Sequence, residues 1–219
     1  MRALSGRLIT ALVSCLILAA IFGYVASSIG NGSIVQFDTT IIQFVQGAET
    51  PWLTNVMKTF TVIGSTKTVL AISAITLGLL VYFRQKPQTL LFVIVIGGTV
   101  GLNLVLKFFF QRARPDLNRL IEISGYSFPS GHTMMATSLY AILAFILWRN
   151  ARTAGRVLYI FGAVFMIGMI CVSRIYLGVH YTSDIVGGIT SSGFWLLVAT
   201  SIYAVLMNKK QVPPRVIAH

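Results

Sequence analysis

Six apolar runs, each free of central charge and long enough to cross roughly 30 Å of hydrocarbon, take up most of this 219-residue chain. They cover about 8–29, 66–83, 89–106, 132–148, 157–173 and 185–206. Inside a bilayer every backbone polar group must be satisfied by the chain itself, so runs of this length can only be spanning helices. Charged residues are 10% of the total, against about a quarter in soluble domains, and mean hydropathy is +0.82. The expected fold is all-α: one integral membrane bundle of six transmembrane helices over residues 1–219, with no room for a soluble domain.

The net charge of +12 suggests a nucleic-acid partner, but its placement excludes one. With the N-terminus inside and six crossings, Arg2, Arg7, Arg84, Lys86, Arg149, Arg152, Arg156, Lys209, Lys210 and Arg215 fall on the inner side. All five acids, Asp38, Glu49, Asp116, Glu122 and Asp184, fall outside. Cationic short inner loops are what the positive-inside rule requires. The reading therefore expects a multi-pass protein of the cell membrane with both termini cytoplasmic. Seven cations break the rule by lying outside: Lys58, Lys67, Lys107, Arg112, Arg114, Arg119 and Arg174.

The first run follows Arg2 and Arg7 as a signal peptide would, yet its length of about 22 residues exceeds the 7–15 of an h-region, which favours an uncleaved anchor. Gly30-Asn31-Gly32-Ser33 reads as a turn. After it, Ile34, Phe37, Ile41, Ile42 and Val45 recur at helical spacing among Gln36, Asp38, Gln43 and Gln46, the pattern of a helix lying in the interface plane. Pro51-Trp52 opens a second short segment, so short interfacial helices are expected between the first and second spans. An ordinary outer loop over the bundle fits this region nearly as well. Cys15 and Cys171 lie within spans and read as packing residues; no Cys/His spacing suggests a zinc site. Gly97-x3-Gly101 and Gly188-x3-Ser192 fit small-residue helix contacts.

Three stretches carry the chemistry: Lys107-x6-Arg114-Pro115, Pro129-Ser130-Gly131-His132, and Ser173-Arg174-x5-His180-x3-Asp184. Ionisable residues gathered beside hydrocarbon are a functional site by default. His132 sits where a helix begins, and a helix start offers unpaired N–H groups and partial positive charge to an anion; Gly131 lets a ligand come close. His180 and Asp184 are one helical turn apart, so the carboxylate can hold Nδ1–H and leave Nε2 free and more nucleophilic. Arg114 and Arg174 offer forked donors for phosphate oxygens and Lys107 a point charge. Each motif alone has a plainer explanation: Ser130 as a helix cap, His180–Asp184 as a structural pair, the cations as groups reaching for headgroups. The expected topology nevertheless brings all three to one membrane face without having used them.

The three-part pattern closely resembles the signature of the type-2 phosphatidic acid phosphatase superfamily, and every signature position is matched between 107 and 184. Phe37-Asp38, Pro51-Trp52 and Thr61-x2-Gly64 also resemble outer segments of its bacterial members. The resemblance implies a lipid phosphatase acting at the extracytoplasmic face. In it His180 is the nucleophile that forms a phosphohistidine, Asp184 orients it, and His132 is the general acid and base. Lys107, Arg114, Ser130, Gly131 and Arg174 then bind the phosphate. It implies no metal and no cofactor, since fixed cations can stabilise a phosphoryl transition state. The expected partners are a lipid phosphate substrate and the bilayer, with no nucleic acid and no obligate protein partner. Phosphatidylglycerophosphate and phosphatidic acid lead the candidates for substrate, ahead of lipid A phosphate. The rival readings are an undecaprenyl pyrophosphate phosphatase and, from a different class, a lipid transporter or flippase, although ionisable residues at one face rather than at the midplane speak against transport.

Overall fold

The computed structural model describes residues 2–116, 118–148 and 152–211; Arg149 and Arg215, two cations expected inside, lie outside them. Eight helices follow in order among the described residues: α1 (Arg2–Gly30), α2 (Val35–Gln46), α3 (Pro51–Ile63), α4 (Thr66–Tyr82), α5 (Lys86–Phe110), α6 (Gly131–Trp148), α7 (Thr153–Tyr176) and α8 (Thr182–Gln211). Five of them, α1, α5, α6, α7 and α8, are each long and apolar enough to cross a membrane. The expected span at 66–83 is α4, whose 17 residues measure only about 25 Å. It joins α3 through a 48° bend, and the bent pair counts as a sixth, broken span. Local chemistry explains the break: Thr50 and Ser65 each accept a backbone N–H at a helix start, Pro51 occupies the first turn of α3, and Gly64 ends it.

Between lipid-facing helices there is no water to expel, so close packing and polar contacts hold the bundle. α6 is the most enclosed helix, with half of its span buried. It packs against α4, α5, α7 and α8, and Leu139 and Ile142 join Val69, Phe92 and Val95 in the apolar core. Within that core Thr99 and Ser138 share a hydroxyl–hydroxyl bond of 2.7 Å. The small-residue expectation holds at one position and shifts at another. A Cβ on Gly188 would sit 3.0 Å from Thr133 and 3.2 Å from Ser130 O, a tight approach of α8 to α6. On α5, Gly97 and Gly101 face open space, whereas a Cβ on Gly98 would lie 2.3 Å from the Trp195 ring. The small face of α5 is therefore turned one residue from the expected one, because Trp195 lies across it and donates to Ile94 O.

α2 departs from the simple amphipathic pattern. Ile42 is buried as expected, but so is Asp38, while Phe37 and Phe44 are exposed. The inward turn of a carboxylate follows from its partners at the same end of the bundle, described next.

Candidate active site

The C-terminal ends of α5 and α7 and the N-terminal ends of α6 and α8 meet at one end of the bundle, roofed by the 111–130 loop. α5 and α7 run past the expected 106 and 173 to Phe110 and Tyr176. Lys107 and Arg174 therefore stand in their last turns, where the helix dipole favours a cation. Lys107, Arg114, Gly131, His132 and His180 line one cavity of about 330 Å³, together with Thr66, Leu70, Val100, Asn103, Leu104 and Met135. Both imidazoles thus face the same space.

His180 is held from both sides. Nδ1 lies 3.2 Å from Asp184 Oδ2 and Nε2 lies 3.1 Å from Arg114 Nη1. Arginine can only donate, so Nε2 accepts and the ring proton sits on Nδ1, facing the carboxylate. The ring is neutral: burial pushes its pKa down to about 4, against the opposing pull of Asp184, with the Arg174 and Arg114 charges adding to the fall. Asp184 Oδ2 also accepts the Tyr181 N–H at 2.9 Å and the Ser127 hydroxyl.

The three expected phosphate cations are placed differently. Lys107 Nζ donates to Tyr126 O at 3.1 Å. Arg114 spends all five N–H groups on the chain: Nε to Gly125 O, Nη2 to Ser124 O and Tyr126 O, and Nη1 to Val179 O and His180. Arg174, 1% exposed, is not among the residues that line the cavity but lies within electrostatic reach of His132, His180 and Lys107. Its Nη1 donates to Thr61 Oγ1, whereas Nε and Nη2 have no partner among the described residues.

Ser130 is not brought to the cavity wall. It is fully buried, and its Oγ accepts Thr133 N–H at 3.4 Å and Thr133 Oγ1–H at 3.1 Å, the cap that the sequence also allowed. Its own N–H donates to Asp184 O at 3.1 Å and ties α6 to α8. Gly131 does face the cavity, and a Cβ there would meet Asn103 Oδ1 at 3.1 Å.

Three participants were given no role at the site from the sequence. Arg112, one of the seven cations expected outside, bridges Asp184 Oδ1 at 2.7 Å and Asp38 Oδ2 at 2.9 Å. Asp38 reads as a polar position of an interfacial helix until Arg112 is seen beside it. Ser127 carries no signal beyond standing two residues before Pro129. Among the described residues no group of three or more His, Cys, Asp or Glu could hold a metal ion.

Chemically, this end of the bundle offers a neutral, oriented imidazole and a second imidazole in one cavity. Around them four cations (Lys107, Arg112, Arg114, Arg174) face two buried carboxylates (Asp38, Asp184). Such an excess of positive charge away from water is costly until an anion joins it.

The chain is similar to known proteins in sequence and in fold. A family model described as the PAP2 superfamily matches residues 88–207. The chain is 32% identical over 170 residues to phosphatidylglycerophosphatase B of Bacillus subtilis, covering 76% of this chain and 83% of that protein. It is 32% identical over 139 residues to lipid A 1-phosphatase of Rhizobium etli, covering 55% and 56%. The crystal structure of a transmembrane PAP2-type phosphatidylglycerolphosphate phosphatase from Bacillus subtilis superposes with a TM-score of 0.81 at 27% identity, over 92% of this chain and 99% of that one. Aquifex aeolicus LpxE shares the fold at a TM-score of 0.61 and 23% identity, over 75% and 94%.

Proposed function

The chain belongs to the PAP2 superfamily, and from that premise we propose that it hydrolyses a lipid phosphate monoester through a phosphohistidine formed on His180. It is a multi-pass membrane lipid phosphatase. A phosphatidylglycerophosphate or phosphatidic acid type of substrate is the reading we favour, supported by the relatives' activities. The relatives are named as phosphatases, which speaks against a transporter or flippase, and their names point to lipid phosphates other than undecaprenyl pyrophosphate.

In the first step the Nε2 lone pair of His180 attacks phosphorus in line. The P–O bond to the lipid alcohol breaks, its electron pair stays on the alcohol oxygen, and His132 supplies the proton. Asp184 stabilises the imidazolium that results. In the second step His132 takes a proton from water, the water oxygen attacks phosphorus, and the N–P bond breaks to give inorganic phosphate and free His180. Arg114 gives up its bond to Nε2 as phosphorus arrives and turns that donor onto an equatorial oxygen. Lys107, Arg174 and the Gly131 N–H complete the cradle, while Ser130 holds the turn beneath it. Positioning and fixed charge supply what phosphoryl transfer needs, so the reaction calls for no metal, cofactor, nucleic acid or obligate protein partner.

The observation that carries this reading is Arg174: a guanidinium sealed from solvent, with Nε and Nη2 unpartnered among the described residues, supports a site that an anion completes. The lipid tail has a route as well. Leu70, Val100 and Leu104 line the cavity and are also exposed on the lipid-facing side of α4 and α5, which supports sideways access of the headgroup from the bilayer. The cations at the other end of the bundle, Arg84, Lys86, Arg152 and Arg156, support cytoplasmic termini and an extracytoplasmic site.

The test is phosphate release by purified protein in vesicles carrying phosphatidylglycerophosphate, phosphatidic acid or undecaprenyl pyrophosphate. Release from a monoester, with a base-stable, acid-labile phosphoenzyme absent from His180→Ala, is expected. No release from any lipid monoester would overturn the reading.

A further inference from the structure

Arg112 and Asp38 surround Asp184 on the side away from the phosphate cavity. Arg112 Nη1 donates to Asp184 Oδ1 and to Ser183 Oγ, both at 2.7 Å, and Nη2 donates to Asp38 Oδ2 at 2.9 Å. Asp38 Oδ1 accepts the Ser183 N–H at 2.9 Å, and the Ser183 hydroxyl donates to Asp38 Oδ2. The Arg112 guanidinium also lies over the Tyr181 ring, 4.0 Å from its centroid. Both carboxylates are wholly buried and the Arg112 side chain is 11% exposed.

The consequence for Asp184 is a division of labour between its oxygens. Oδ1 is taken by Arg112; Oδ2 receives His180 Nδ1–H, Ser127 O–H and Tyr181 N–H. A carboxylate gripped at both oxygens is fixed in rotation, so Oδ2 stays turned toward His180 Nδ1. The charge is balanced too. An Arg112 serving Asp184 alone would cancel the negative charge that the imidazolium needs. Asp38 holds the guanidinium's other nitrogen and draws part of that cation away.

We propose that Arg112 and Asp38 are positioning residues for the hydrolysis: together they fix the orientation of Asp184 and preserve its charge, and through it set the reactivity of His180. This rests on the reading of His180 as the nucleophile. The competing explanation is mechanical, with the same bonds pinning α2 against α8 and doing nothing else.

The two separate on a split between kcat and KM. Phosphatidic acid hydrolysis is measured for Asp38→Asn, Arg112→Gln, Arg112→Lys and the Asp38→Asn/Arg112→Gln pair, each scaled to its folded fraction. Neither residue touches the phosphate, so KM should hold while kcat falls by about 10–100-fold, the scale seen when outer partners of metal-bound histidines are removed. Arg112→Lys should recover part of the Arg112→Gln loss. The pair should cost no more than Arg112→Gln alone, because residues acting as a unit are not additive. An unchanged kcat per folded molecule in Asp38→Asn, or a raised KM with kcat intact, overturns the proposal in favour of the mechanical role. If Arg112→Gln fails to fold, the near-isosteric Asp38→Asn and the charge-keeping Arg112→Lys carry the same test. His180→Ala runs alongside: near-normal turnover there defeats the site assignment itself, whereas an inactive His180→Ala beside a fully active Asp38→Asn defeats only the positioning role.

Discussion

Arg114 Nη1 and His180 Nε2 lie 3.1 Å apart, and since a guanidinium has no lone pair to offer, the imidazole nitrogen must be the acceptor. One contact therefore selects the tautomer with its proton toward Asp184 and its lone pair toward the cavity. Removing that lone pair removes covalent catalysis. His180→Ala should lose more activity than His132→Ala, for which the loss of a general acid costs roughly 10²–10⁴-fold. Initial rates on a long-chain lipid phosphate rank the two; a His180→Ala variant faster than His132→Ala would reverse the roles.

The same environment sets a pH dependence. Burial holds His180 near a pKa of about 4, below the ordinary 6.5, so the folded ring stays neutral as pH falls from 7 toward 5. The acid limb of phosphoenzyme formation, corrected for ionisation of the substrate, should lie near pH 4 to 5 and not at 6.5. The linked effect on stability has a definite sign. Between the two values the unfolded chain binds the proton and the folded chain does not, so this group's contribution is complete above pH 6.5 and is lost as pH falls toward 4. A thermal midpoint that rises on acidification through that window would contradict it.

How far the sequence discloses this site depends on how local the information is. Lys107, Arg114, His132 and His180 were legible because fixed spacing and helix ends place them, and they do share one cavity. Asp38 and Ser183, 145 positions apart, could not be paired that way: an acid in an amphipathic helix looks solvated until its partner is known. Ser130 shows the opposite ambiguity, since a serine before a helix serves equally as a cap or an anion ligand, and here its oxygen is spent on Thr133. The break between α3 and α4 was half visible. Pro51 and Gly64 mark helix limits, but nothing in hydropathy distinguishes a short interfacial helix leading into a span from the two halves of one bent crossing.

Small residues on α5 give a test of packing alone. A Cβ at Gly98 would sit 2.3 Å from Trp195, whereas one at Gly97 meets nothing. Gly98→Ala should lower stability by ~1–3 kcal/mol, the usual cost of overpacking, and Gly97→Ala should lower it not at all. Thermal unfolding in detergent separates them, and equal midpoints would mean that α5 is rotated from the position described.

Charge at the site makes a prediction that needs no turnover. Arg174 is buried with two nitrogens unpartnered, so binding of an anion there relieves an unfavourable state found only in the folded protein. Inorganic phosphate should therefore stabilise the protein by mass action, about 2.7 kcal/mol at a concentration 100 times its Kd, and chloride at matched ionic strength should do less. Arg174→Met should abolish the phosphate effect while raising the baseline stability or leaving it unchanged, because the uncompensated buried charge is gone. A chelator should alter neither the phosphate effect nor hydrolysis, since the cations doing this work are covalently part of the chain. Thermal midpoints across a phosphate titration, with and without chelator, measure all of this in one experiment. An unchanged midpoint in the starting protein, or an equal rise in Arg174→Met, would show that this guanidinium does not belong to an anion site.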